Sequence, residues 1–286
     1  KTAYRQCQVV HVRTIVMRHD AMRLNEVKVT GMRTELQPEE QADTLRTVAV
    51  SRRKQAAEVI PSVNIIGVSK NKKSLALGGL GNVVREKAYG LQIGGLYNHV
   101  GDIGRGVAIA GLANTTLGSY YGVQLGGLWN YTSLDTKGVL IGGLDNWVNS
   151  GFDGLQLGGL ANITRDTRAI QVAGLTNISK GLYGIQISGL TNISQDAYGL
   201  QLAGLTNISK DVYGLQVGGL TNIAQDTYGL QLAGLFNVTH DLYGMQLAGL
   251  FNCAKDVYGL QFAGLVNVAK RARGVQFAAI LNVAEE

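Results

Sequence analysis

One residue type returning at a fixed interval limits what this chain can fold into. Asn82, Asn98, Asn114, Asn130, Asn146 and Asn162 follow one another at 16 residues, and Asn177, Asn192, Asn207, Asn222, Asn237, Asn252, Asn267 and Asn282 continue at 15. Each Asn closes the same phrase, clearest as Gly199-Leu200-Gln201-Leu202-Ala203-Gly204-Leu205-Thr206-Asn207. A unit this short cannot bury a core by itself, so its copies must stack on one another. With 39 glycines and two prolines the composition also suits a β-rich repeat better than a helical one.

The copies show which positions are strict. The site of Leu205 is Leu in every copy but the last, where Ile280 stands. The sites of Leu200 and Leu202 are aliphatic or Phe, that of Ala203 only Ala, Gly or Ser, and Gln201 recurs in most copies. Charge gathers in the connecting stretch, as in Arg165-Asp166 and Lys210-Asp211. This pattern predicts an all-β fold: a parallel β-solenoid of about fourteen coils of 15–16 residues, stacked at about 4.8 Å into a rod of about 65 Å. Leu200, Leu202, Leu205 and Ile208 are expected to point inward as apolar columns, and Asn207 to form a hydrogen-bonded ladder. Cys253, which replaces that Ile, is expected to be a small core residue.

The alternative is a 14-stranded transmembrane β-barrel with one strand per unit, acting as a channel or anchor. Tyr198, Leu200, Leu202 and Ile208 would then face lipid. Antiparallel neighbours should impose a period of two units, and none is visible. Equal steps also give almost none of the shear that closure needs.

The chain divides into a lead segment, residues 1–61, and the repeat domain, residues 62–286. The formal charge is +6, and residues 1–75 hold 14 Lys/Arg against 7 Asp/Glu. The basic excess therefore lies ahead of the array, without a tight run that would point to nucleic acid. Gln8–Met17 and Glu26–Thr30 read as strands, and 38–60 as a weak helix between Pro38 and Pro61. There is no apolar run of transmembrane-helix length. The chain opens on Lys1 without an initiator Met or signal peptide, as expected of a processed product or part of something longer.

Two stretches carry a resemblance. Arg23-Leu24-Asn25-Glu26-Val27-Lys28-Val29-Thr30-Gly31 resembles a phrase of Bacteroidota cell-envelope proteins. There it follows a small β-sandwich similar to the carboxypeptidase regulatory domain, which makes Tyr4–Asp20 the last strands of a truncated sandwich. No plug-sized domain follows, unlike in TonB-dependent receptors. The tandem GLQ-aliphatic-(A/G)-GLxN phrase over residues 75–286 resembles the surface repeat of spirochaete and Bacteroidota envelope proteins. These resemblances imply a cell-envelope, outer-membrane or surface location in a Gram-negative bacterium and say nothing of chemistry.

A repeat supplies the same residues in lines, whereas catalysis needs unlike residues converging on a point. The expectation is therefore a non-enzymatic scaffold or binding surface with no cofactor and no metal. His11, His19, His99 and His240 are scattered. Gly pairs such as Gly94-Gly95 lack the Lys-Ser/Thr of a phosphate loop. Asn114, Asn130, Asn162, Asn177, Asn192, Asn207 and Asn237 open N-x-S/T sequons, but the same Asn persists at Asn222 and Asn252 without one. Asp196, Asp211, Asp226, Asp241 and Asp256 offer one carboxylate per coil, too few for a calcium roll. The Thr176, Thr191, Thr206, Thr221 column is too short for an ice-binding face.

The candidate binding stripe is aromatic: Tyr183, Tyr198, Tyr213, Tyr228, Tyr243 and Tyr258, with Phe236 and Phe251 nearby. Expected partners are a protein or a second copy at the solenoid ends, with outer-membrane association also open. Pro61–Ser74 is the candidate cap for one end.

Overall fold

In the computed structural model, residues 10–12, 15–18, 21–24, 27–29 and 62–285 are described. They fall in two units, Lys1–Ala57 and Glu58–Glu286. In the first unit β1 (Val10–Val12) pairs antiparallel with β4 (Val27–Val29), and β2 (Ile15–Arg18) with β3 (Ala21–Leu24). The stretch expected as one strand over Gln8–Met17 thus contains two. The helix expected over 38–60 lies outside the described residues.

The second unit is a parallel β-solenoid of about 15 turns. Every strand of its 20-stranded sheet pairs in parallel with its equivalent one coil away: Asn192 with Asn207, Gln201 with Gln216, Tyr198 with Tyr213. Parallel pairing throughout excludes the barrel, whose sequential strands must alternate in direction. From Asp145 onward most coils are one long strand such as Thr206–Gly218, closed by the Gly219-Leu220 turn, whereas earlier coils split it into two, such as Ala88–Gly94 and Tyr97–Val100. Of the candidate cap Pro61–Ser74, the described residues 62–74 form a coil in their own right. Its strand β5 (Ser62–Ser69) pairs in parallel with β6 (Ala76–Val84), and Gly67 takes the place of Asn in the register.

The period falls from 16 to 15 at one corner. Between Val148 and Gly151 the register slips, so that two residues oppose one on the next coil. This is a β-bulge that absorbs the extra residue without disturbing the faces on either side.

The interior is the reverse of the expected one. Asn207, Ser209, Val212 and Gln216 are buried, whereas Leu205 and Ile208 stay 40% and 37% exposed. Strand alternation fixes the rest: with Gln201 inside, Leu200 and Leu202 face outward. Cys253 is likewise exposed. A polar core is tolerable only when its amides are satisfied. Here identical coils do that. Asn207 Nδ2 donates to Asn222 Oδ1 (2.8 Å) and to the Val217 carbonyl (2.8 Å). Gln216 Nε2 donates to Gln201 Oε1 (2.8 Å) and to Ser209 Oγ (3.0 Å), and Ser209 Oγ donates to Gln201 Oε1 (2.8 Å). The Asn ladder runs unbroken from Asn82 to Asn282. The Gln ladder is continuous from Gln156 to Gln276; earlier, Ala108 and Leu140 occupy its column. The two ladders donate in opposite directions, Asn toward the next coil and Gln toward the previous one.

Among the described residues the inward apolar side chains fall mainly in two columns: one through Leu182, Ala197, Val212, Leu242 and Val257, interrupted by Thr227, and the Ser209 column, which carries Val84, Val100, Val148, Ala254 and Ala269. Outside, each Leu is partly covered by its equivalents in the adjacent coils. The hydrophobic effect therefore acts along external columns.

Glycine enables the stacking. Gly199 has φ +135°, and a Cβ there would stand 2.1 Å from the Gly184 carbonyl oxygen one coil below. Gly204 lacks that dihedral, but its Cβ would lie as close to the Gly189 oxygen. Small residues are required because backbones one coil apart approach within a strand spacing.

The inverted core gives a paired test. Asn207→Leu leaves the amides of Asn192 and Asn222 each short of a partner, and is expected to cost about 3 kcal/mol or more. Ile208→Ser, one residue away but outward and only partly covered, should cost less, about 1 kcal/mol. Apparent urea midpoints compare the two; a larger loss for Ile208→Ser than for Asn207→Leu would mean that the faces are assigned the wrong way round.

Candidate binding surface

The alternation of inward and outward side chains breaks at Lys210-Asp211 and Gly219-Leu220, and Gly214 (φ +147°) turns the chain between Val212 and Gln216. These breaks set the outward columns. Tyr213 and its equivalents follow the charged corner, Leu215 and Val217 come next, Leu220 lies at the turn, and Thr206 and Ile208 lead back to the corner.

The six tyrosines do form one stripe. Neighbouring rings stack at centroid distances of 4.6–4.9 Å and 1–3° between planes from Tyr183 to Tyr258. The coil spacing imposes that geometry, and each ring keeps one outer side open, with Tyr198 37% exposed. Arg273 closes the far end, its guanidinium 5.5 Å from the centroid of Tyr258. Phe236 and Phe251 stack on each other at 5.5 Å in a different column, beside the Leu turn. The aromatic stripe read as one feature is thus two, in separate columns.

Beside the tyrosines runs the Asp column. Burial, followed by the charges of Asp241 and Asp211, raises the pKa of Asp226 above the ordinary carboxylate value. Asp256 shifts the other way, because Arg271 bonds its carboxylate through Nε and Nη2. Burial, and then neighbouring Tyr and Asp, raise the pKa of Tyr198, Tyr213, Tyr228 and Tyr243.

A grouping not legible in the sequence is Asp226, His240 and Asp241, whose ligand atoms come within 4.8 Å of one another. Asp241 adjoins His240 in the sequence, but the third member, Asp226, belongs to the coil below. Both ring nitrogens are already engaged: Nδ1 lies 2.9 Å from Asp241 Oδ1 and Nε2 lies 3.2 Å from Lys255 Nζ. That arrangement is a chain of polar contacts along the corner more than a free ligand set.

Apolar grooves accompany the columns. One of about 690 Å³ runs over Leu232, Leu247, Phe262 and Phe277, with a floor of Ala and Gly. Among the described residues no helix is long and apolar enough to cross a membrane. No protein-family model, curated protein or solved structure matches this chain.

Two pH effects follow. The four central tyrosines have folded pKa values above the unfolded value near 10, so the stability they contribute is complete below that pH and is lost as pH rises from there through the folded values. An alkaline titration followed by phenolate absorbance should show them ionising later than unfolded-chain tyrosine. For Asp226 the raised carboxylate pKa likewise opposes stability once pH exceeds the ordinary Asp range. Asp226→Asn should therefore raise the melting temperature at pH 7 and leave it unchanged near pH 3, as calorimetry at the two pH values would show.

Proposed function

We propose that this chain is a non-enzymatic repeat protein of a bacterial cell envelope, working as a rigid scaffold with a long outer binding surface. The observation that carries the reading is the repetition of the outward side chains in straight columns. A ligand meeting such a surface finds the same groups at every 4.6–4.9 Å step, an arrangement suited to extended contact. Unlike groups converging on one reacting atom, as catalysis requires, are not what such columns present. The envelope location rests on the resemblance of the GLxN phrase to surface repeats.

Association at the ends belongs to the same reading. Asn267 Nδ2 donates to Asn282 Oδ1, so the Asn282 amide nitrogen, the ladder's last donor, faces out of the stack among the described residues. Ile280 beside it is 71% exposed. A partner or a second copy offering a parallel strand would continue both the sheet and the ladder.

Fractionation of cells producing the chain should recover it with the envelope, and electron microscopy of the purified protein should show rods of about 65 Å or multiples of it. Recovery with the cytosol would overturn the location. Globular particles would overturn the scaffold.

A further inference from the structure

Register and sequence together show a segregation of charge that neither shows alone. From Lys70 to Glu285, every Lys, Arg, Asp and Glu except Asp145 falls in the coil stretch equivalent to Lys210–Tyr213. The remaining outward columns carry Leu, Ile, Val, Phe and uncharged polar groups. Leu175, Leu190, Leu205 and Leu220 at the turn are each 40–42% exposed. They stand roughly half a coil from the charged corner. The rod is amphipathic about its long axis, as an interfacial helix is about its own.

We propose that this uncharged arc is a lipid-contact surface, with the rod lying along a membrane, its Leu turn inserted among acyl chains and its charged corner in water. The proposal rests on the scaffold reading only in taking the outer surface as the working part.

Three observations favour lipid over a second copy. Apolar columns flank the Leu turn on both sides, through Ile208 on one and Leu215 and Val217 on the other. A flat partner covers one flank and leaves the other wet, whereas a fluid layer encloses both. The amide donors at the turn are also already engaged: those of Gly219, Leu220 and Thr221 donate to the carbonyls of Ala203, Leu205 and Leu205 at 3.0, 2.9 and 3.0 Å. Desolvating the turn therefore strands none of these donors, the part of the lipid condition that concerns N–H groups. Finally, the Tyr column borders the charged corner on one side and Tyr131 and Trp147 border it on the other, an amphipathic ring at each edge of the arc. The corner itself mixes Lys, Arg, Asp and Glu in near balance, so attachment is expected to be apolar in origin and insensitive to salt.

The chain's two tryptophans supply the probe. Trp129 stands beside the Leu turn and Trp147 one column further, 44% and 49% exposed. With the full 286-residue chain, adding zwitterionic phosphatidylcholine vesicles should shift tryptophan emission to shorter wavelength. Phosphatidylcholine brominated on its acyl chains should quench that emission, equally at low and at high salt. A triple substitution, Leu175→Gln, Leu190→Gln and Leu205→Gln, should lower vesicle recovery in flotation several-fold while circular dichroism stays that of the parent.

Emission unmoved by vesicles would overturn the proposal. So would a shift that depends on protein concentration and ignores brominated lipid, which would assign the arc to a second copy. A parent that floats no better than the triple variant would overturn it as well. Should the variant not fold, the quenching measured on the parent decides alone. None of these outcomes touches the scaffold reading, which stands or falls on fractionation and rod length.

Discussion

The amide ladder is the interaction on which this architecture depends. A primary amide offers two donors and an acceptor with two lone pairs, and burying one unpaired costs about as much as several outward contacts return. Inside this coil the only way to meet that demand repeatedly is to place the same amide directly above and below. The requirement therefore runs from chemistry to geometry: the Asn must recur in register, and every other residue in the coil inherits that period. Strand length, the position of the turn and the columns outside all follow from holding one side chain in line.

Much of this was legible in the sequence, and the part that was not has a single cause. The period, the parallel stacking, the Asn ladder and the crowding at Gly204 come from residue types whose geometric demands are local. The direction of the side chains does not. Gln201 between Leu200 and Leu202 states an alternation but not which side is the core, and a rule that sends Leu inward picks the wrong side. The rule fails because a narrow coil has room for about five inward side chains and the ladders claim most of them. The aliphatic residues are left to bury area against their own copies along the axis.

The functional surface was legible in outline only. The tyrosine column is a direct reading of the 15-residue period, and the structure places it as one stripe. Phe236 and Phe251, read as lying near it, belong to another column. The Asp226, His240, Asp241 grouping needed the register between coils, since one of its members comes from a different copy of the repeat. Charge segregation stands between these cases: the residues are visible in the sequence, but the opposite arc becomes a surface only once the coil is closed.

The opposed directions of the two ladders bear on how long such a rod can be. Aligned amides in one column add their dipoles head to tail, as peptide units do in a helix, and a single ladder would leave the two ends of the rod oppositely polarised. Asn amides pointing toward the last coil and Gln amides pointing toward the first set two such columns against each other. Where both run, from Gln156 onward, added coils lengthen the rod with little growth in its axial polarisation. Copy number is then free to vary without an electrostatic ceiling, whereas the coils before Gln156, where the Gln column is broken, carry the residual field of the Asn ladder.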